Sequence, residues 1–421
     1  IGCREEACER ARSDPGRQRL VTALLVVDPQ SGNSIELQQM VHRLHMGKDL
    51  PSIVDGPVGS VYEFIGFQNR ASVFAEKVQA CVGGALAGVP CSDDADCPNG
   101  TCTGSAATGV GFPQDIRNCQ TCHDESDATT PQASNYRLVP SRAACGTCHF
   151  DDAVAGNGEH DFAIEDGTHP GGFQFSDDTQ CVDCHGPDGT VTNSEGRLVQ
   201  IPVAHEIRER TAAGAFSFNI LDVINTGQGE NPQVTFSVTD PTNADAAYDI
   251  HADEPFTICA GGASRLSVNI AWSTTDYANI GSGLLPGLPV SMNPLAACSG
   301  ASADNGDGTF TVTSPVAIPA TATGSLSVAI EGHPAVDVYN DGSYERIAVT
   351  NAITYAAITD GSAVPRRAVV DFAKCDDCHN QLSLHGNNRT NKPEVCVTCH
   401  NPMMTDIGRR GGARPARGRR G

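Results

Sequence analysis

The chain is poor in large side chains. Of its 421 residues 5% are aromatic, with one tryptophan, Trp272, and five methionines. So few bulky groups do not fill an interior of this size by themselves, and a large bound group is one way to fill it. Basic residues are scarce as well, 28 against 50 acidic, and the net charge of −22 argues against a general nucleic-acid binder. No run approaches the roughly 20 apolar residues of a membrane-spanning helix. Neither a signal peptide nor an initiating Met precedes Ile1, so the chain is expected to be mature, trimmed or partial. The length accommodates two or three domains at roughly 150 residues each.

What the chain does have is cysteine, 18 in all. Ten of them fall in five copies of Cys-x-x-Cys-His: Cys119-Gln-Thr-Cys122-His123, Cys145-Gly-Thr-Cys148-His149, Cys181-Val-Asp-Cys184-His185, Cys375-Asp-Asp-Cys378-His379 and Cys396-Val-Thr-Cys399-His400. This is the attachment signature of c-type haem. Two thiols add to the two vinyl groups of one haem, the two intervening residues set the reach, and the next residue, His, lies under the iron as proximal ligand. Zinc ribbons also use Cys-x-x-Cys, but they do not require His after every pair. The pattern predicts five covalent haems. Covalent haem is loaded outside the bacterial cytoplasm, where disulfides form. The other eight cysteines are therefore expected to pair: two disulfides within the Gly/Pro/Asp-rich loop that holds Cys81, Cys91, Cys97 and Cys102, one between Cys259 and Cys298, and a weaker pairing of Cys3 with Cys8.

Each iron needs a sixth ligand or stays open to substrate. Five methionines are too few for Met/His ligation throughout, whereas eight His lie outside the motifs. That excess favours bis-His ligation, which gives six-coordinate, low-potential haems suited to carrying electrons. His42 and His45 sit in a segment where Asn33 with Glu36 predicts a helix start and Gly47 a helix stop. Three residues apart, they project from one helix face, so two neighbouring haems can each take one. His169, His205 and His385 each lie close to a motif and are the other distal candidates. His160 reads equally as a ligand or a surface residue. His251 and His333 lie far from any motif and read as structural.

Residues 33–205 are expected to form a haem domain with three haems, short α-helices and little other regular structure, because the porphyrins themselves are the core. Residues 206–370 lack motifs and alternate instead. Val234, Phe236 and Val238 share a face, as do Leu266, Val268, Ile270 and Trp272, and Leu326, Val328 and Ile330. This predicts an antiparallel β-barrel or sandwich. Residues 371–408 begin a second haem domain with two haems. Residues 1–32 resist assignment. Residues 409–421 carry six Arg and no acid, and read as disordered or as a reading-frame artefact.

The run Cys375-x-x-Cys-His-Asn-Gln-Leu-Ser-Leu-His385-Gly-Asn-Asn-Arg389, the motif Cys396-Val-Thr-Cys-His-Asn-Pro402 and the helix Val41-His-Arg-Leu-His-Met-Gly-Lys-Asp-Leu-Pro51 resemble the decahaem outer-membrane cytochromes of metal-reducing bacteria, the OmcA/MtrC type. The resemblance covers roughly residues 33–408. It implies pentahaem domains alternating with split-barrel β-domains, bis-His haems in a chain, redox partners in an outer-membrane conduit, and electron export to metal oxides or flavins. The implied location is the outer membrane or cell surface, with the periplasm as alternative. No conventional substrate turnover is implied beyond metal reduction. Against that pattern this chain starts at the His-x-x-His helix and stops two motifs into the next module, so it is expected to be the middle of a longer protein. Three haems at 119–185 then face four distal candidates, His42, His45, His169 and His205, and two haems at 375–400 face one, His385. Two other functions compete. A multihaem reductase of nitrogen or sulfur oxyanions needs an open iron position and nearby acid–base groups, and no motif replaces its final His by Lys. A filament subunit would take a distal His from the next copy.

The expected haem count is directly measurable. Intact-mass measurement of the mature protein should show five haem additions per chain, and loss of both thiols of one motif should remove one of them.

Overall fold

A computed structural model describes residues 37–149, 168–169, 173–174, 178–281, 285 and 287–404. The expected helix start at Asn33 and Glu36, the Cys3–Cys8 pairing, His160 and the Arg-rich tail lie outside these residues. The chain divides into two compact units, residues 1–206 and 207–421. No helix among the described residues is long and apolar enough to cross a membrane.

In the first unit, helix α1 (Leu37–Met46) carries both His42 and His45. It stops at Gly47, whose φ is +51°. A Cβ there would sit 2.2 Å from the Val110 carbonyl oxygen, so only glycine lets the chain turn this tightly against Val110. Lys48 N donates to that same oxygen at 2.8 Å. Leu50 and Ile53 then bury beside Tyr62 and Ala75, with Leu44 and Met46 of α1 packed on them. Tyr62 and Ala75 belong to a three-stranded antiparallel sheet, β1 (Val61–Gly66), β2 (Arg70–Val82) and β3 (Thr101–Gly109), in the order β1-β2-β3. The sequence reading left this stretch without strands. Its small residues, Ala71, Ala75, Ala80, Ala106 and Gly104 among them, give a weak strand signal. Covalent bonds supply what propensity does not. Cys81 at the end of β2 is bonded to Cys97, and Cys102 at the start of β3 to Cys91. Loops of 16 and 11 residues are closed in this way, and each such closure contributes on the order of 3 kcal/mol.

The second unit is a two-sheet sandwich. Its strands are β4 (Ser217–Ile224), β5 (Gln233–Asp240), β6 (Ala246–Ala247), β7 (Arg265–Trp272), β8 (Val290–Met292), β9 (Ala303–Asp304), β10 (Phe310–Thr313), β11 (Ser325–His333) and β12 (Ala352–Ala357). One sheet runs β8-β7-β11-β12, the other β9-β10-β5-β4 with β6 on β5, and every pairing is antiparallel. Val234, Phe236, Val238, Leu266, Val268, Ile270, Trp272, Leu326, Val328 and Ile330 are all buried in one core with Phe256 and Phe310. Cys259 is bonded to Cys298.

The alternation along β7 and β11 implies a wet second face, yet Ser267, Asn269, Ser325, Ser327 and Glu331 are buried too. Ser267 and Ser327 bond within the sheet, to Ser291 Oγ at 2.6 Å and to the Ala271 carbonyl at 3.5 Å, while Ser325, Glu331 and the β11 backbone bond the segment after the sandwich. Val364 N donates to Ser325 Oγ at 2.9 Å, Gly332 N to the Asn388 carbonyl at 3.0 Å, and Arg389 Nη2 to Glu331 Oε1 at 2.6 Å. Asn279 Nδ2, from the loop after β7, donates to the Thr398 carbonyl at 2.8 Å. The turn at Asn388 and Arg389 is thus tied to β11, and the fifth motif, through Thr398, to the loop after β7. His251 and His333 serve the sandwich: His251 Nε2 lies 2.8 Å from Ser302 Oγ, and His333 Nδ1 lies 2.7 Å from the Ala263 carbonyl.

Phe236→Ala should cost about 3–5 kcal/mol in denaturant unfolding, the usual range for an aromatic core truncation. His333 gives a pH signature. Burial lowers its pKa from 6.5 to about 4, so the unfolded chain binds a proton that the folded one refuses. Its contribution to stability is complete above pH 6.5 and is lost as pH falls from there toward about 4, by at most ~1.4 kcal/mol per pH unit. His333→Gln should flatten that part of the stability profile.

Candidate haem sites

In four of the five motifs a short helix does the positioning. The second, third, fourth and fifth lie on α2 (Arg142–His149), α3 (Cys181–His185), α4 (Ala373–His379) and α5 (Pro393–Cys399). The first makes a single 3₁₀ turn over Cys119–Thr121. Residues three and four apart share a helix face, so this winding turns both thiols and the following imidazole to one side. His123 N donates to the Cys119 carbonyl and His400 N to the Cys396 carbonyl, each at 2.8 Å, which continues the turn through the ligand itself.

The thiols sort cleanly. All ten motif cysteines are unbonded to one another, while the other six described cysteines form the three disulfides. Burial pushes the Cys119 and Cys396 thiols up, and lifts Cys145 to about 11. Among the described residues, the one group of three metal-capable side chains within 4.8 Å of one another is Cys81, Cys91 and Cys97, which the disulfides consume. No motif gathers a zinc-like cluster.

Imidazoles meet instead in pairs. His42 on α1 faces His123 with ring centroids 6.2 Å apart, His149 faces His205 at 6.0 Å, and His385 faces His400 at 6.1 Å. A metal–imidazole bond is about 2.0–2.1 Å, and with a ring radius of about 1.1 Å on each side two imidazoles across one metal have centroids roughly 6 Å apart. The three pairs have that spacing. Their interplanar angles are 24°, 68° and 37°, and all are admissible because each ring turns about its own metal–nitrogen axis. Each pair joins a motif His to a candidate from elsewhere in the sequence. Carbonyls fix ring orientation: His45 Nδ1 lies 2.8 Å from the Val41 carbonyl, His185 Nδ1 2.9 Å from Val199, and His205 Nδ1 2.9 Å from Ile201. With Nδ1–H committed to a carbonyl, Nε2 keeps its lone pair for a metal.

The surroundings suit a large apolar group. Leu37 and Val41 on α1, Leu384 beside His385, and Val369 and Val370 ahead of Cys375 are all exposed. Apolar side chains of this kind near ligand candidates are ones that a porphyrin could cover. The residues present fit haem c: Cys119, Cys122, Cys145, Cys148, Cys181, Cys184, Cys375, Cys378, Cys396 and Cys399 for attachment, with His123, His149, His185, His379 and His400 beneath. The remaining candidates are placed as follows. His45 is exposed, edge-on to Phe112 with centroids 5.3 Å apart. His169 lies in a two-residue strand paired with Phe173–Gln174, and its ring is outside the described residues. The sequence reading missed Tyr136, whose ring lies 5.2 Å from that of His123, since nothing in its local pattern points to a motif.

Residues 21–195 and 367–417, together more than half of the chain, match the family model "Outer membrane cytochrome MtrC/MtrF-like, domains II/IV". The unmatched stretch between them holds the sandwich. The crystal structure of MtrC from Shewanella baltica OS185 is similar, with a TM-score of 0.46 and 18% identity over 69% of this chain and 48% of that one. The chain therefore spans about half the length of that cytochrome. A comparison with curated proteins finds no match.

His385→Ala should convert one of the two C-terminal haems to high-spin iron with a raised potential, visible by electron paramagnetic resonance and redox titration. Uniformly low-spin iron in that variant would refute the pairing of His385 with His400.

Proposed function

The chain belongs to the MtrC/MtrF-like outer membrane cytochromes, and from that premise we propose that it relays electrons through five covalently bound, bis-His haems. Haem c supplies a one-electron iron couple, and the protein supplies attachment, both axial nitrogens and a low-dielectric setting. The observation that carries this reading is the set of three imidazole pairs at 6.0–6.2 Å. Haems held by His on both sides would leave no place for a substrate, which suits transfer over turnover. His42, His205 and His385 would hold, from the distal side, the haems bound at His123, His149 and His400. His45 and His169 complete the distal set of this and neighbouring modules.

The acceptors are extracellular, metal oxides or flavins, and electrons arrive from redox proteins of an outer-membrane conduit. The place of action is the cell surface. An acidic chain, at −22 before any propionate is counted, repels anionic donors and favours cationic or mineral-bound metal.

The test is spectroscopic and kinetic. The oxidised protein should show low-spin haem alone, and the reduced protein should be reoxidised rapidly by ferric chelates and by oxidised flavin. High-spin iron together with turnover of nitrite or hydroxylamine would replace the relay by the reductase reading.

A further inference from the structure

One carboxylate is buried where the relay above has no use for it. Glu331 on β11 has a side chain 3% exposed, and it is bonded to the Arg389 guanidinium, itself 21% exposed, at 2.6 Å. Arg389 follows His385 by four residues. The same turn is held to the same strand by the bond from Gly332 N to the Asn388 carbonyl, and Asn388 Nδ2 donates to the His385 carbonyl at 2.6 Å. The ion pair therefore ties the sheet to the turn that presents the distal ligand. From β7, Asn269 hydrogen-bonds Glu331 and the Arg265 guanidinium acts on it, while Ser267 lies opposite in register. Cys396 is in electrostatic reach of both members of the pair. Burial pushes its thiol up, Arg389 draws it back, and Glu331 adds to the rise. Burial also holds the Glu331 carboxyl above the ordinary carboxylate range, against the pull of Arg389 and Arg265.

We propose that Glu331 is a proton-binding site coupled to the redox state of the haem attached at Cys396 and Cys399. The inference rests on the haem reading above. On one-electron reduction of a haem held there, by a reduced haem elsewhere in the chain, the Glu331 carboxylate would take one proton from solvent and become the neutral acid, and on reoxidation by the next acceptor the proton would return to solvent. The charge added on reduction is thereby balanced inside a region where unbalanced charge is costly. Linkage requires the reciprocal effect: the potential of this haem falls as pH rises through the titration of Glu331. Arg389 sets where that titration lies, and the turn it anchors carries the axial ligand, so proton and electron meet within one bonded unit.

The experiment is redox titration of the full holoprotein at a series of pH values, after its five haems have been confirmed by mass. In the wild type one haem should show a potential that falls as pH rises. In Glu331→Gln that dependence should vanish while haem count and low-spin spectra are retained. In Arg389→Gln, which removes the counter-charge, the pH-dependent window should move upward. A wild type without any pH-dependent haem overturns the proposal, as does a Glu331→Gln protein that keeps the wild-type dependence. If Glu331→Gln does not accumulate, an unmoved window in Arg389→Gln overturns it. A wild-type chain lacking covalent low-spin haem would instead overturn the parent reading, and the mass and spectra show that separately.

Discussion

Under the proposed haem ligation, one distance governs both units. Two imidazoles would have to face each other about 6 Å apart, close enough for both to reach one metal and far enough to leave it room. The rings come from separate segments, 42 against 123, 149 against 205 and 385 against 400. Neither partner can drift by much before the pair opens or collapses. The polypeptide around them serves as clamps. Helix α1 is stopped by Gly47, footed on Leu50 and Ile53, and backed by a sheet held by the Tyr62, Phe64 and Phe74 cluster and by two disulfides.

The second unit reaches the same end by a different route. A two-sheet sandwich ordinarily packs one face of each sheet and wets the other. Here the polar face of the β8-β7-β11-β12 sheet is dry: Ser267 and Ser327 pair within the sheet, and Ser325 and Glu331 pair with Val364 and Arg389 of the segment that follows. Burying such groups unpaired would cost about 1–3 kcal/mol each, so the pairing is specific as well as tight. The sandwich with its apolar core acts as a block to which the turn at Asn388 and Arg389 and, through Thr398, the motif helix α5 are tied. Under the proposed relay such anchoring matters, because electron transfer depends on fixed spacings.

Much of this was legible in the residues. The five Cys-x-x-Cys-His motifs stand out in the sequence because two thiols and a His at that spacing match one haem. The sandwich core was visible because Val234, Phe236, Val238 and the corresponding residues of β7 and β11 alternate at the period of a strand. Which candidate His faces which motif was not legible. His42 and His123 are brought together by tertiary packing of α1, and no local pattern encodes it. The sheet over 61–109 was hidden in part because β3 is built of threonine, glycine, serine and alanine, which give little apolar alternation, although Val61, Tyr62, Phe64 and Ile65 of β1 do favour a strand. The dry polar face was hidden because Ser267 or Glu331 reads as solvent-facing until the segment covering it is known.

The division of the cysteines has a consequence for how such a protein is made. Sixteen described thiols share one compartment, and six end as disulfides while ten stay unbonded to sulfur. Thiols two residues apart inside a Cys-x-x-Cys turn are themselves easily oxidised to each other, and a haem-attaching enzyme cannot use them in that state. Under the haem reading the ten would have to stay reduced, or be re-reduced, in surroundings oxidising enough to close the other six. Maturation would then be a problem of sorting identical functional groups, and none of the three disulfides takes a motif cysteine.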